Sequence, residues 1–195
     1  MATAAPLNIP LETKDEEPKP LYGTVQAHRS YILLHSSEPP SSFPPRVSSP
    51  LHSALQLKAS KWGGLVNFAW VENRQPKQTH HPDCDNGPVS ATAFSTLGGR
   101  MEVPEVSLEN LDEVETRLRM HADGALVQEL PEEIHMYVCT HGARDCRCGT
   151  IGGDVVRALR KEIARRVELD PSGVVGRVVV GEVGHVGGHQ LSYLL

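Results

Sequence analysis

No run of this 195-residue chain approaches the roughly 20 apolar residues that a bilayer-spanning helix requires, which argues against a membrane partner. The opening stretch, Met1 to Pro20, lacks the apolar core of a secretion signal. It carries Glu12, Asp15, Glu16 and Glu17, the wrong sign for an Arg-rich transit peptide. Excess positive charge is missing too: the formal charge is −5, so nucleic acid is not the expected partner. Four cysteines are few for a chain stapled by disulfides, and three of them are clustered near residue 145. There is no C-x-x-C, and no carboxylate pair is placed as glycoside hydrolysis would need. What is left is a soluble, intracellular chain of ordinary composition, long enough to bury a core.

Residues 1–22, polar, Pro-rich and charged, read as a disordered lead-in. Ser30 to His35 is the first expected strand, and the Ser/Pro tract Ser36 to Pro50 is loop. Leu51, Leu55 and Trp62 fit an amphipathic helix ended by Gly63-Gly64, followed by a strand over Leu65 to Val71. Glu72 to Ser90 is a polar loop with His80, His81 and Cys84, for which no function is the default. Ala91 to Thr96 and Met101 to Val106 predict a hairpin across Gly98-Gly99. Leu108, Leu111, Val114 and Leu118 predict a helix with Ser107 as N-cap.

A second segment opens near Pro131 with a strand over Ile134 to Val138 and a Gly-rich loop over Cys139 to Gly153. A helix capped by Asp154 should bury Val155 or Val156, Leu159 and Ile163, and turn Arg157, Arg160, Lys161, Arg165 and Arg166 to solvent. Val174 to Val183 reads as a strand. The segments open alike, Tyr31-Ile-Leu-Leu-His35 against Tyr137-Val-Cys-Thr-His141, with Leu33 where the second has Cys139. The expected architecture is α/β: a divergent N-terminal domain with the element order of a thioredoxin-like unit over residues 23–130, then a thioredoxin-like domain over residues 131–195.

The chemistry concentrates in two glycine-embedded motifs. Cys139-Thr-His-Gly-Ala-Arg-Asp-Cys-Arg-Cys148 puts two ligands at C-x8-C spacing, and Gly184-His185-Val-Gly-Gly-His189 puts two at H-x3-H spacing. Two thiolates and two imidazoles complete a four-ligand set. Zinc accepts such a set, and H-x3-H suits it, but C-x8-C is wider than the usual zinc pair. A [2Fe–2S] cluster also takes four ligands, and in the Rieske type two histidines replace two cysteines on one iron. Glycines around both motifs allow close backbone approach and N–H groups aimed at sulfide.

These motifs resemble the sucrase/ferredoxin-like family, thioredoxin-like ferredoxins that include the fungal actin-patch-distribution and altered-inheritance-of-mitochondria proteins. The family pattern, C-x8-C followed by H-x-G-G-H, is matched without a gap inside either motif, over residues 134–189. The resemblance implies that Cys139 and Cys148 hold one iron of a [2Fe–2S] cluster, and that His185 and His189 hold the other, reducible iron. It implies an electron-transfer or redox-homeostasis protein with no substrate chemistry of its own; counting charge, two neutral imidazoles in place of two thiolates put the potential in or near the window of roughly −150 to +300 mV. Relatives continue past the second histidine, so the end at Leu195 reads as a shortened domain. The donor and acceptor are unnamed, and the compartment is cytoplasmic, with mitochondrial as the alternative.

Two other readings stay open. A thiol oxidoreductase would use Cys139 or Cys146 beside a helix N-terminus; a zinc-stabilised binding module would use the same four ligands. Cys146, in C-x-C with Cys148, is a competing ligand or redox thiol. Arg144, Asp145 and Arg147 read as a loop-fixing ion pair, and His141 as a hydrogen-bonding neighbour of the ligands or a bystander. His28, His35, His52, His121 and His135 read as scattered structural or exposed residues.

Overall fold

The computed structural model describes residues 27–72 and 87–186. The lead-in over residues 1–22, the His80, His81 and Cys84 loop, and His189 lie outside them. In chain order the elements are β1 (Ser30–His35), α1 (Pro50–Ala59), β2 (Gly64–Trp70), β3 (Val89–Ser95), β4 (Gly99–Val106), α2 (Leu111–Ala122), β5 (Ile134–Cys139), α3 (Gly153–Leu169) and β6 (Val178–Val183). The α/β class is as expected. The strands of both segments join one sheet in the order β4-β3-β1-β2-β6-β5.

Local chemistry explains the first elements. β1 is an apolar run buried on both faces of a central strand. At α1 the Ser49 side chain accepts a hydrogen bond from the His52 N–H (3.2 Å), and Pro50 occupies the first turn, where its missing N–H costs nothing. Leu51, Leu55 and Ala59 then recur at helical spacing and face the sheet. The β3–β4 hairpin turns at Gly99, whose φ of 71° suits glycine. α1 and α2 cover one face of the sheet, over Ile32, Leu34, Val66 and Phe68. α3 lies on that face too, through Arg160.

Three expectations need correction. α2 starts at Leu111, not near Leu108, because Ser107 and Asn110 exchange hydrogen bonds in a turn and Asn110 becomes the N-cap. β6 starts at Val178; residues Val174–Arg177 form a 3₁₀ turn after Gly173. Arg160 does not face solvent. Its guanidinium lies 5.5 Å over the Trp70 ring, donates to the buried Glu182 (3.1 Å) and pairs with Glu72 (3.3 Å). Of the expected α3 stripe only Val156 is fully buried.

His121 takes the structural of the two roles read for it. It continues the Val114 and Leu118 stripe of α2 into the core, fully buried, with its ring against the Gly98–Gly99 backbone. Burial holds its pKa below the ordinary 6.5. Below about pH 6.5 the unfolded chain therefore takes a proton that the folded chain resists. The stability His121 contributes is present above that pH and is lost as pH falls toward its lower folded pKa. Urea unfolding at pH 7.5, 6.5 and 5.5 should show the native chain weakening on acidification and His121→Leu weakening less. Equal pH slopes would contradict this.

The sheet is strongly curled. β6 meets β2 through only two residue pairs, Ala69 with Val183 and Trp70 with Glu182, so the β5–β6 ribbon turns away sharply from its neighbour. Opposite corners of the sheet then meet over its concave face. Arg100 of β4 pairs with Glu133, just before β5, and its Nη1 lies 2.7 Å from His135 Nε2. The Phe94 ring of β3 packs 5.1 Å from that of His135. A second apolar cluster sits on this face, joining Leu33 and Ala69 to Tyr137, Cys139, Cys148 and Val183.

Candidate metal centre

β5 delivers Cys139 at its last residue, where alternation along His135, Tyr137 and Cys139 aims all three at the concave face. The strand end is fixed from behind. Thr140 donates to the Glu182 carboxylate (2.9 Å), which Arg160 also binds, so the buried charge is compensated.

The chain from Cys139 to Gly153 was expected as loop throughout, with a helix capped by Asp154. The structure places the helical start earlier. Asp145 caps it: its Oδ1 accepts from the Arg147 N–H (3.0 Å), and its carbonyl from the Gly149 N–H (3.3 Å). Asp154 instead pairs with Arg157 on the surface. A π-helical turn over Cys148–Gly152 runs into α3, so Cys148 occupies the first turn, where helix N–H groups favour negative charge. Arg147 grips Asp145 through both Nε (3.0 Å) and Nη2 (2.7 Å), the ion pair expected to fix the loop.

Glycine lets this turn fold back onto β5. A Cβ on Gly142 would sit 3.0 Å from the Gly149 Cα, and one on Gly149 would sit 2.7 Å from the Gly142 Cα. A Cβ on Gly152 would collide with the Cys139 carbonyl oxygen. The backbones touch directly, and that contact carries Cys148 to Cys139.

The third donor arrives from the neighbouring strand, two residues past Val183, which pairs with Cys139 in the β5–β6 register. Beyond β6, the Gly184 N–H donates to the Phe68 carbonyl (3.0 Å), and Asn67 Nδ2 donates to the Gly184 carbonyl (3.0 Å). His141 acts on the next residue. Its Nε2–H donates to the Pro44 carbonyl (2.8 Å), which leaves Nδ1 to accept a long 3.4 Å bond from the His185 backbone N–H. His141 is thus a positioning neighbour of His185, one of the two roles read from the sequence.

Cys139 Sγ, Cys148 Sγ and a His185 ring nitrogen all lie within 4.8 Å of one another, with Cys148 Sγ 3.7 Å from His185 Nδ1. Both cysteines are buried and His185 is half-buried. Cys146 is exposed and lies outside the group. Burial, then the hydrogen bond and charge of Cys139, then Asp145, push the Cys148 thiol up to about 12, with Arg147 offsetting part. That opposes a thiolate nucleophile at Cys148 in the metal-free chain, and a cation must displace its proton to bind.

Fold and site together define a mixed α/β protein with a buried Cys/Cys/His group that has the reach to hold a metal ion. The sucrase/ferredoxin-like family model matches residues 21–192, and the chain belongs to that family. No curated protein and no solved structure matches the chain. No helix among the described residues is long and apolar enough to cross a membrane.

The structure brings together three of the four sequence-predicted ligands; the fourth, His189, lies outside the described residues. Sequence reasoning missed the Arg100–Glu133–His135 contact. Its one signal was alternation, which sets His135 on the same strand face as Cys139.

Proposed function

We propose that Cys139, Cys148, His185 and His189 hold a [2Fe–2S] cluster and that the protein is a one-electron carrier without substrate chemistry of its own. The convergence of two thiols and an imidazole from separate motifs, in a chain of this family, carries the reading. Such a cluster supplies reversible storage of one electron. The chain's residues set its character. Two neutral imidazoles replace two thiolates, removing two negative charges and favouring the reduced state over that of an all-cysteine site. The turn at Cys146 to Gly152 directs helix N–H groups toward the same charge. His141 orients His185, and a ligating imidazole can lose its remaining N–H proton when the site is oxidised.

The strand order β4-β3-β1-β2, with β1 parallel to β2 and an antiparallel β3–β4 hairpin, supports a thioredoxin-like reading of residues 23–130. β5, α3 and β6 then open a second such unit over residues 131–195. The partner is an unidentified reductase or electron acceptor, in the cytoplasm or, alternatively, in mitochondria.

One observation favours a second reading. Zinc bond lengths of about 2.0–2.3 Å put tetrahedral sulfur and nitrogen ligands roughly 3.5 Å apart, close to the 3.7 Å between Cys148 Sγ and His185 Nδ1. A single zinc would make this a structural site in a binding module. The readings separate by redox behaviour. In iron-loaded protein the reduction potential should fall as pH rises through the alkaline range, and His185→Cys should keep a coloured cluster at a lower potential with a shallower pH slope. A flat profile in the native chain would refute histidine ligation; a colourless, redox-silent protein with bound zinc would establish the second reading.

A further inference from the structure

The concave face holds a half-open cleft of about 570 Å³ between the two curled parts of the sheet, beside the metal centre but not part of it. Tyr31, Leu33, Phe94, His135, Tyr137 and Val183 line it. Clefts of this size between two structural units are where small ligands bind.

The walls specify the ligand. Phe94 lies 5.1 Å from the His135 ring and 6.0 Å from the Tyr137 ring, with His135 and Tyr137 stacked 5.9 Å apart. These are the spacings of aromatic packing, and they offer a ring-lined wall to a flat molecule. One end is polar and well shielded: the side chains of Arg100, Glu133 and His135 are 13%, 21% and 5% exposed. His135 Nε2 lies 2.7 Å from Arg100 Nη1 and 3.0 Å from the Glu133 carboxylate, and its Nδ1 lies 3.2 Å from the Tyr137 hydroxyl. Arg100 and Glu133 cancel in charge, so the polar end favours a dipole over an ion.

We propose that this cleft binds a neutral, planar aromatic small molecule that carries one hydrogen-bonding oxygen, with its ring against Phe94 and Tyr137 and its oxygen at the Tyr137 hydroxyl. Tyr137, Leu33 and Val183 pack in one cluster with Cys139 and Cys148, so the occupant lies one side chain from the metal centre.

The test uses the metal-free full-length chain, so its failure would leave the metal-centre reading standing. Titration with 2-naphthol, followed by its own fluorescence, should show one site per chain. In NMR, its ring protons should give contacts to the rings of Phe94 and Tyr137, a readout that needs no variant. Leu65→Trp, which fills the cleft from β2, should weaken 2-naphthol at least about tenfold. Tyr137→Phe should weaken 2-naphthol about fivefold and leave naphthalene unchanged. No binding, binding indifferent to Leu65→Trp, or equal loss of naphthalene and 2-naphthol in Tyr137→Phe would overturn the proposal. So would a dimer that protects these rings and takes up no aromatic.

Discussion

Cys148→Ser should purify anaerobically without bound metal, whereas Cys146→Ser should retain the native content. The two residues are neighbours in sequence and opposite in environment. Cys148 is buried against Cys139 and His185; Cys146 is exposed on the outer side of the same helical turn. Serine at 148 keeps the volume but removes the soft thiolate that iron and zinc both prefer. With one of the two thiolates gone, metal per chain should fall more than about tenfold. Far-ultraviolet circular dichroism should stay near native, since the change touches one side chain. Retention of metal by Cys148→Ser, with loss in Cys146→Ser, would move the ligand to Cys146 and break the assigned spacing.

Adjacent glycines should respond with opposite signs. Gly152→Ala places a methyl against the Cys139 carbonyl oxygen, a backbone atom that cannot yield without moving β5 or the helical turn. A loss of about 3 kcal/mol in unfolding free energy is expected, together with poor metal uptake, because the same shift separates Cys148 from Cys139. Gly153→Ala meets only the end of the flexible Arg157 side chain, at 3.3 Å, and has helical dihedral angles. It should stabilise by up to about 1 kcal/mol through helix propensity. Denaturant titrations of both variants would read the contrast directly. Equal effects would mean that the contact between the turn and β5 does not form.

Much of the architecture is legible in the sequence wherever a local signal suffices. Apolar runs with β-branched and aromatic residues mark β1, β2 and β5; Leu51 and Leu55 mark α1, which opens one residue earlier at Pro50; Gly98-Gly99 turns the hairpin. Cys139, Cys148 and His185 are legible as candidate donors from the two motifs and the family spacing, and the structure draws those three together. Expectations failed where tertiary contacts outweigh propensity. Residues 148–153 read as loop because three of the six are glycine, yet the direct Gly142–Gly149 contact and the Asp145 cap make that stretch helical. Arg160 reads as a surface residue until β2 and β6 bring Trp70 and Glu182 under it. His121 could have been placed, since it follows Val114 and Leu118 at i+7 and i+3. The Arg100–Glu133 pair had no such signal, because it spans the two far edges of a curled sheet.

Iron, zinc and acid-labile sulfide assayed together on anaerobically purified full-length chain test the central claim most directly. The account predicts brown protein with about two iron ions and about two sulfides per chain. Colourless protein holding about one zinc, or no metal at all, would contradict it.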